Sequence, residues 1–183
     1  PDSRVIALAA LIQAASKCAA SPGHTAQPFK PNSTAGRFLL EAWERDLPRL
    51  VLEIASEIGS RHATHEGSVV CGDANQVVSQ LDERDLVFVD PPYSGVHYSR
   101  FYHVLETIAR GHVGVVTGSG RYPPPSERPF SSYSVRSQSE AALRSLFAGI
   151  SKQGARAIVT FPAGSASNGL SGDVVRSIAS DYF

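Results

Sequence analysis

The residues with the clearest chemical potential are Asp90-Pro91-Pro92-Tyr93, directly after the all-apolar run Leu86–Val89. Such a run predicts a strand buried on both faces of a parallel sheet, and ligands of open α/β sheets bind beyond the carboxyl ends of strands. At that end a carboxylate, two rigid rings and an aromatic plate make a small polar clamp. Asp90 and the Pro91 carbonyl can accept hydrogen bonds from an exocyclic amine. The prolines stiffen the turn and bring carbonyl acceptors with no N–H of their own. Tyr93 offers a π-face to a base, a contact worth about 1–3 kcal/mol. The competing reading is a strand-terminating turn, since Asp-Pro and Pro-Pro are common breakers. The position between an apolar strand and the aromatic-rich Tyr98–Arg110 favours the clamp.

A second set of candidates is basic. Formal net charge is zero, with 17 Lys+Arg against 17 Asp+Glu, so no global field argues for nucleic acid. Between His97 and Arg136, however, Arg100, Arg110, Arg121, Arg128 and Arg136 face only Glu106 and Glu127. Such a stretch can hold phosphates locally, with Tyr98, Tyr122, Phe130 and Tyr133 interleaved. The alternative is a solvated loop with packing aromatics. His24, in Ser21-Pro22-Gly23-His24, reads as a loop histidine that could approach a substrate. No catalytic role is assigned to His97 or His103. Cys18 and Cys71 are the only cysteines and have no histidine at ligand spacing, so no metal site is expected. Two thiols without a framework suit a reducing, cytoplasmic setting.

The elements that must position these groups follow from periodicity. Ser3–Ala20 predicts a helix, with Ser3 as its cap. Ser21–Ala35 predicts a loop. Leu39, Trp43, Leu47, Leu50, Ile54 and Ile58 keep helical spacing, with Trp43 in the core and Pro48 splitting or kinking the stretch. Ser68–Cys71 is a β-branched run predicting a strand, and Asn75–Leu81 a short helix that Asp73 would cap after the turn at Gly72. Tyr98–Arg110 predicts a helix, Gly111–Ser139 an irregular excursion, and Glu140–Ile150 a helix with Leu143, Leu146, Phe147 and Ile150 inward. Ala157–Phe161 predicts a strand and Gly172–Tyr182 a closing helix. The alternation argues for an α/β fold with a parallel sheet. The 183 residues suit one structural domain: a helical segment over 1–66, then a core over 67–183 with a loop insertion at 111–139. No run approaches the roughly 18 apolar residues of a membrane span.

Leu86–Tyr93 resembles motif IV of the amino-methyltransferases, in which [D/N/S]-P-P-[Y/F/W] holds the target amine. The wider stretch Val87–Gly111 (VFVDPPYSGVHYSRFYHVLETIARG) resembles the bacterial adenine-specific DNA methylases. Gly118–Ser132 (GSGRYPPPSERPFSS), Ala157–Pro162, and Ala14–Lys30 with its Gly23-His24 fit the same pattern. The resemblance implies a Rossmann-like S-adenosylmethionine-dependent methyltransferase fold with a mostly parallel sheet. It implies methyl transfer from S-adenosylmethionine to the N6 amine of an adenine flipped out of DNA. Asp90, Pro91, Pro92 and Tyr93 would hold that adenine, and Asp73 would contact the adenine moiety of the cofactor. Tyr98, Arg100, Arg121 and Arg128 become candidates for DNA contact. No metal is implied; a restriction or defence partner is left open.

The sequence departs from the pattern in one respect. No F-x-G-x-G or similar Gly-rich loop stands upstream of Asp73, and Gly118-Ser119-Gly120 follows motif IV instead of preceding it. Together with the absence of methionine, this gives the expectation of a fragment whose fold is incomplete at its N-terminus. Two alternatives stay open. One is another amino-methyltransferase, acting on guanine N2 of ribosomal RNA or on cytosine N4. The other is a degenerate methyltransferase fold serving as a DNA-binding subunit.

Overall fold

The structure is a computed structural model that describes residues 2–21, 24–25, 29–118 and 121–183. Pro22, Gly23, Ser119 and Gly120, named above, lie outside the described residues. The chain divides into two compact units: Pro1–Gly67 with Tyr98–Arg128, and Ser68–His97 with Pro129–Phe183. The stretch 111–139 is thereby shared between them.

The first unit is helical: α1 (Ser3–Cys18), α2 (Gly36–Trp43), α3 (Leu47–Ser60) and, later in the chain, α5 (Tyr98–Arg110). Asp2, not Ser3, caps α1, its carboxylate accepting from the Arg4 N–H at 2.9 Å. Ala10 and Ala14 are fully buried against Ile54 of α3, where small side chains let two helices approach closely. Pro48 separates α2 from α3 without kinking either. It sits in the first turn of α3, where a missing N–H costs nothing, and Asp46 caps that turn through the Arg49 N–H. Trp43 is not core but 67% exposed. Counting from Leu39, Ala42 at i+3 takes the inward position on the short α2, and Trp43 ends the helix outside it.

The second unit contains a small parallel sheet, β1 (Leu86–Val89) beside β2 (Arg156–Val159), with Val87 opposite Ala157 and Phe88 opposite Ile158. Helix α6 (Ser139–Lys152) covers one face and turns Leu143, Leu146, Phe147 and Ile150 into the core, as its spacing predicts. Helix α7 (Gly172–Ser180) adds Val175 and Ile178. Before β1, α4 (Ala74–Val77) runs into a 3-10 turn, Val78–Gln80. Val78 approaches α6 at Gly149, where a Cβ would lie 2.7 Å from its Cγ1.

Two sheet expectations need correction. Ser68–Cys71 is not a strand: it is irregular, and Val69 is 96% exposed. β-branched residues favour strands only where a neighbouring strand and a packed face exist, and the sheet among the described residues offers this run no partner. Nor is β1 buried on both faces. Val87 and Val89 turn toward the core, while Leu86 and Phe88 stay exposed beside Ile158.

Candidate active site

At the carboxyl end of β1 the chain enters Asp90-Pro91-Pro92-Tyr93 within the second unit. The parallel ladder continues one step past β2, the Thr160 N–H donating to the Val89 carbonyl at 3.0 Å. This sets Thr160 beside the clamp, and its hydroxyl donates to Asp90 Oδ1 at 2.7 Å. Asp90 is thus an exposed carboxylate with one oxygen oriented by a neighbouring strand. Pro91 is buried, and the Pro92 carbonyl accepts from Asn168 Nδ2 at 2.9 Å. Tyr93 is 49% exposed and sets its ring edge-on to Phe161, centroids 6.5 Å apart.

Asp90, Pro91 and Pro92 line a cavity of about 1000 Å³, and Asp73 lines the same cavity. Asp73 also caps α4, accepting from the Asn75 N–H at 2.9 Å. The two carboxylates expected to share a site therefore do share a cavity, although the strand expected before Asp73 is absent. Much of the rest of the wall is apolar, from β1, Leu146 and Ile150, with Phe130 adding an aromatic surface and Asn75, Ser137 and Gln138 adding polar groups.

Tyr133 is part of that wall and is buried. Its hydroxyl donates to Asn75 Oδ1, and Asn75 Nδ2 donates to the Ala142 carbonyl at 3.0 Å. Burial first, and then the nearby Asp73 carboxylate, push the Tyr133 phenol well above the usual tyrosine range. Tyr133 thus belongs to the packing alternative of the interleaved aromatics.

Of the basic candidates, Arg100, Arg110, Arg121 and Arg128 lie in the first unit and Arg136 in the second. The Arg100 and Arg128 guanidiniums stand over the Tyr122 ring at 5.2 and 5.9 Å from its centroid, and Arg128 Nε donates to the Pro123 carbonyl at 2.7 Å. The buried His103 ring meets Tyr122 edge-on at 4.7 Å, and Tyr98 meets Tyr102 at 5.6 Å. Arg121 is exposed in a turn with φ 49°, next to the Thr117–Tyr122 bridge. His24 stacks on Phe101 at 4.8 Å, beside Thr25, whose hydroxyl donates to the Phe101 carbonyl. That packing suits a loop histidine held by its neighbours.

Sequence reasoning missed Thr160, Asn75 and Asn168. Thr160 follows an apolar run and carried a weak signal, since a strand parallel to β1 must end near Asp90. Asn75 and Asn168 carried none. Among the described residues, no group of three or more His, Cys, Asp or Glu could hold a metal ion, and no helix is long and apolar enough to cross a membrane.

Residues 30–149 match the family described as D12 class N6 adenine-specific DNA methyltransferase. The chain is similar to the type II methyltransferase M.FokI of Planomicrobium okeanokoites, 36% identical over 86 residues, covering 46% of this chain and 13% of that protein. It is also similar to the modification methylase LlaI of Lactococcus lactis subsp. lactis, 30% identical over 122 residues, covering 64% of this chain and 19% of that protein. The chain therefore spans less than a fifth of the length of either relative. No solved structure matches it.

Proposed function

Because the chain belongs to the D12 class N6 adenine-specific DNA methyltransferase family, we propose that it forms part of an enzyme that methylates the N6 amine of adenine in DNA. The observation that carries this reading is the shared cavity: Asp90 and Pro91 line it at the end of β1, and Asp73 lines it too. In this reading the target adenine leaves the duplex, and its amine donates to Asp90 and the Pro91 carbonyl. An exocyclic amine is a poor nucleophile because its lone pair is delocalised into the ring. Acceptors on its hydrogens draw it toward tetrahedral geometry and free that pair. Asp90 is held for this by Thr160, so alignment contributes much of the acceleration. Tyr93 supplies a half-exposed ring for stacking on the base.

The residues fit S-adenosylmethionine by the chemistry of the cavity, which combines apolar walls for an adenosyl group with carboxylates for its polar edges. Asp73 would hold the adenine moiety, since capping α4 engages only its Oδ1. When bound, the cofactor supplies a methyl group already activated on a sulfonium. A Rossmann-like sheet is the fold this activity calls for. The open face of β1–β2, with Leu86, Phe88 and Ile158 exposed, supports it, because parallel sheets normally carry cover on both faces. Arg100, Arg121 and Arg128, with Tyr98, are proposed to contact DNA phosphates, and a restriction partner is compatible with the relatives' names. On this proposal residues 1–66 are a helical segment and the catalytic core follows over 67–183.

The test is product analysis. The intact protein is incubated with DNA and methyl-labelled S-adenosylmethionine, and the DNA is digested to nucleosides. The label should appear as N6-methyladenine. Label in N4-methylcytosine, or only in ribosomal RNA offered in parallel, would replace this reading with another amino-methyltransferase.

A further inference from the structure

We propose that Ser167 and Asn168 are positioning residues that brace the Asp90–Gly95 loop, so that a turn remote in sequence sets the geometry of the clamp. This rests on the methyltransferase reading above. Asn168 is 0% exposed, and asparagine is seldom buried so fully unless its amide is satisfied. Its Nδ2 donates to the Pro92 carbonyl at 2.9 Å and to the Tyr133 carbonyl at 3.0 Å, while its Oδ1 accepts from the Leu170 N–H at 3.2 Å. Every hydrogen-bonding direction of the amide except one lone pair is used. One planar group thereby joins the clamp to the wall segment that carries Tyr133.

A second tie lies three residues along the clamp loop. Ser167 Oγ accepts from the Gly95 N–H at 2.9 Å. The two backbones run so close that a Cβ on Gly95 would lie 3.2 Å from the Ser167 carbonyl oxygen. The bracing turn is itself closed: the Ala166 N–H donates to the Leu170 carbonyl at 2.7 Å, and the Gly169 N–H donates to the Ala166 carbonyl at 3.0 Å. Gly169 takes φ 94°, which disfavours any side chain there. From below, the Ser139 hydroxyl of α6 donates to the Asn168 carbonyl at 2.9 Å. The turn is thus tied to α6 by its backbone, while the Asn168 amide holds the loop bearing Asp90. Thr160 fixes the carboxylate, and this turn fixes the backbone that follows it.

The test compares single-turnover methyl transfer with stability in the intact protein. Asn168→Ala removes both donors, and Asn168→Asp keeps the shape and the acceptor for Leu170 while losing the donors. Both should lower the single-turnover rate on the order of 100-fold, the cost of about 1 Å of misplacement, with cofactor affinity unchanged. Ser167→Ala changes an exposed side chain that a folded protein tolerates, and should lower the rate about five- to tenfold. Ser139→Ala is the control: it loosens the anchor but leaves the amide on Pro92, so it should reduce stability more than rate. If Asn168→Asp and Ser167→Ala both transfer methyl at the wild-type rate, the brace is refuted. If all variants lose rate only in proportion to lost stability, the role is structural and the proposal also fails. If the wild-type protein itself transfers no methyl to DNA, the functional reading has failed instead.

Discussion

Replacing Tyr133 by Phe separates the wall of the cavity from its clamp. The hydroxyl donates to Asn75 Oδ1, and both residues line the cavity. Phe keeps the ring and its packing against α6, so no void forms. The cost is one hydrogen bond, about 0.5–1.5 kcal/mol net, plus an acceptor on Asn75 left without its donor, about 1–3 kcal/mol when fully desolvated. Asn75 is only half-buried, so water can recover part of this, and the expected loss is about 1–2 kcal/mol. The pH dependence is more specific. The phenol is raised above its ordinary 10.0 by burial and by Asp73, so the folded protein holds the proton more tightly than the unfolded chain. That stability is complete below the unfolded value near 10 and is lost as pH rises through the folded one. Above pH 10 the wild type should therefore lose up to about 1.4 kcal/mol per pH unit through this one group, and Tyr133→Phe should lack that component. Urea denaturation from pH 8 to 11 measures both proteins. The gap between them should narrow above pH 10. A constant gap would show that the Tyr133 hydroxyl does not titrate with the fold, and a more stable Phe variant below pH 10 that it does not stabilise it.

Three further outcomes follow from the same geometry. Thr160→Val preserves volume but removes the donor to Asp90. Because Asp90 is exposed, the single-turnover rate should fall only about fivefold, with the denaturation midpoint unchanged. Gly149→Ala sets a Cβ against the stiff Val78 side chain. Overpacking at about 1–3 kcal/mol should outweigh the helix preference for Ala of about 1 kcal/mol, lowering the urea midpoint. Arg100→Ala with Arg128→Ala should weaken DNA binding and flatten its salt dependence, by about 0.9 in log–log slope for each phosphate no longer neutralised; unchanged affinity across salt would make the Arg–Tyr122 cluster purely structural.

Several elements were readable from pattern alone because one strong local signal set each of them. Helix α5 keeps the predicted bounds Tyr98–Arg110, and α6 buries the four residues its spacing selects. β1 follows from its apolar run, and with it the place of Asp90 at a strand end. What failed depended on partners distant in sequence. Ser68–Cys71 has strand composition, but pairing requires a neighbour that periodicity cannot reveal. Trp43 shares helical spacing with Leu39, but the break before Pro48 ends α2 at Trp43 and Ala42 packs inward. The same applies to the site. Asp73 and Asp90 were legible as candidate carboxylates, and Asp90 also by its place at a strand end, whereas Asn168 in Ser-Asn-Gly looks like any turn. Only the folded chain brings its amide to Pro92, 76 residues away.

The most direct test of the account is Asp90→Ala in the intact protein, with labelled methyl transfer to DNA followed in a single turnover and cofactor affinity measured separately. Asp90 is exposed at the end of β1, so its loss opens no core cavity and should leave stability nearly unchanged. Its proposed bond to the amine strengthens as the methyl arrives, so its removal should abolish transfer while cofactor binding stays near normal. Near-normal transfer by a folded Asp90→Ala protein would contradict the account and reduce Asp90-Pro91-Pro92-Tyr93 to a turn at the end of a strand.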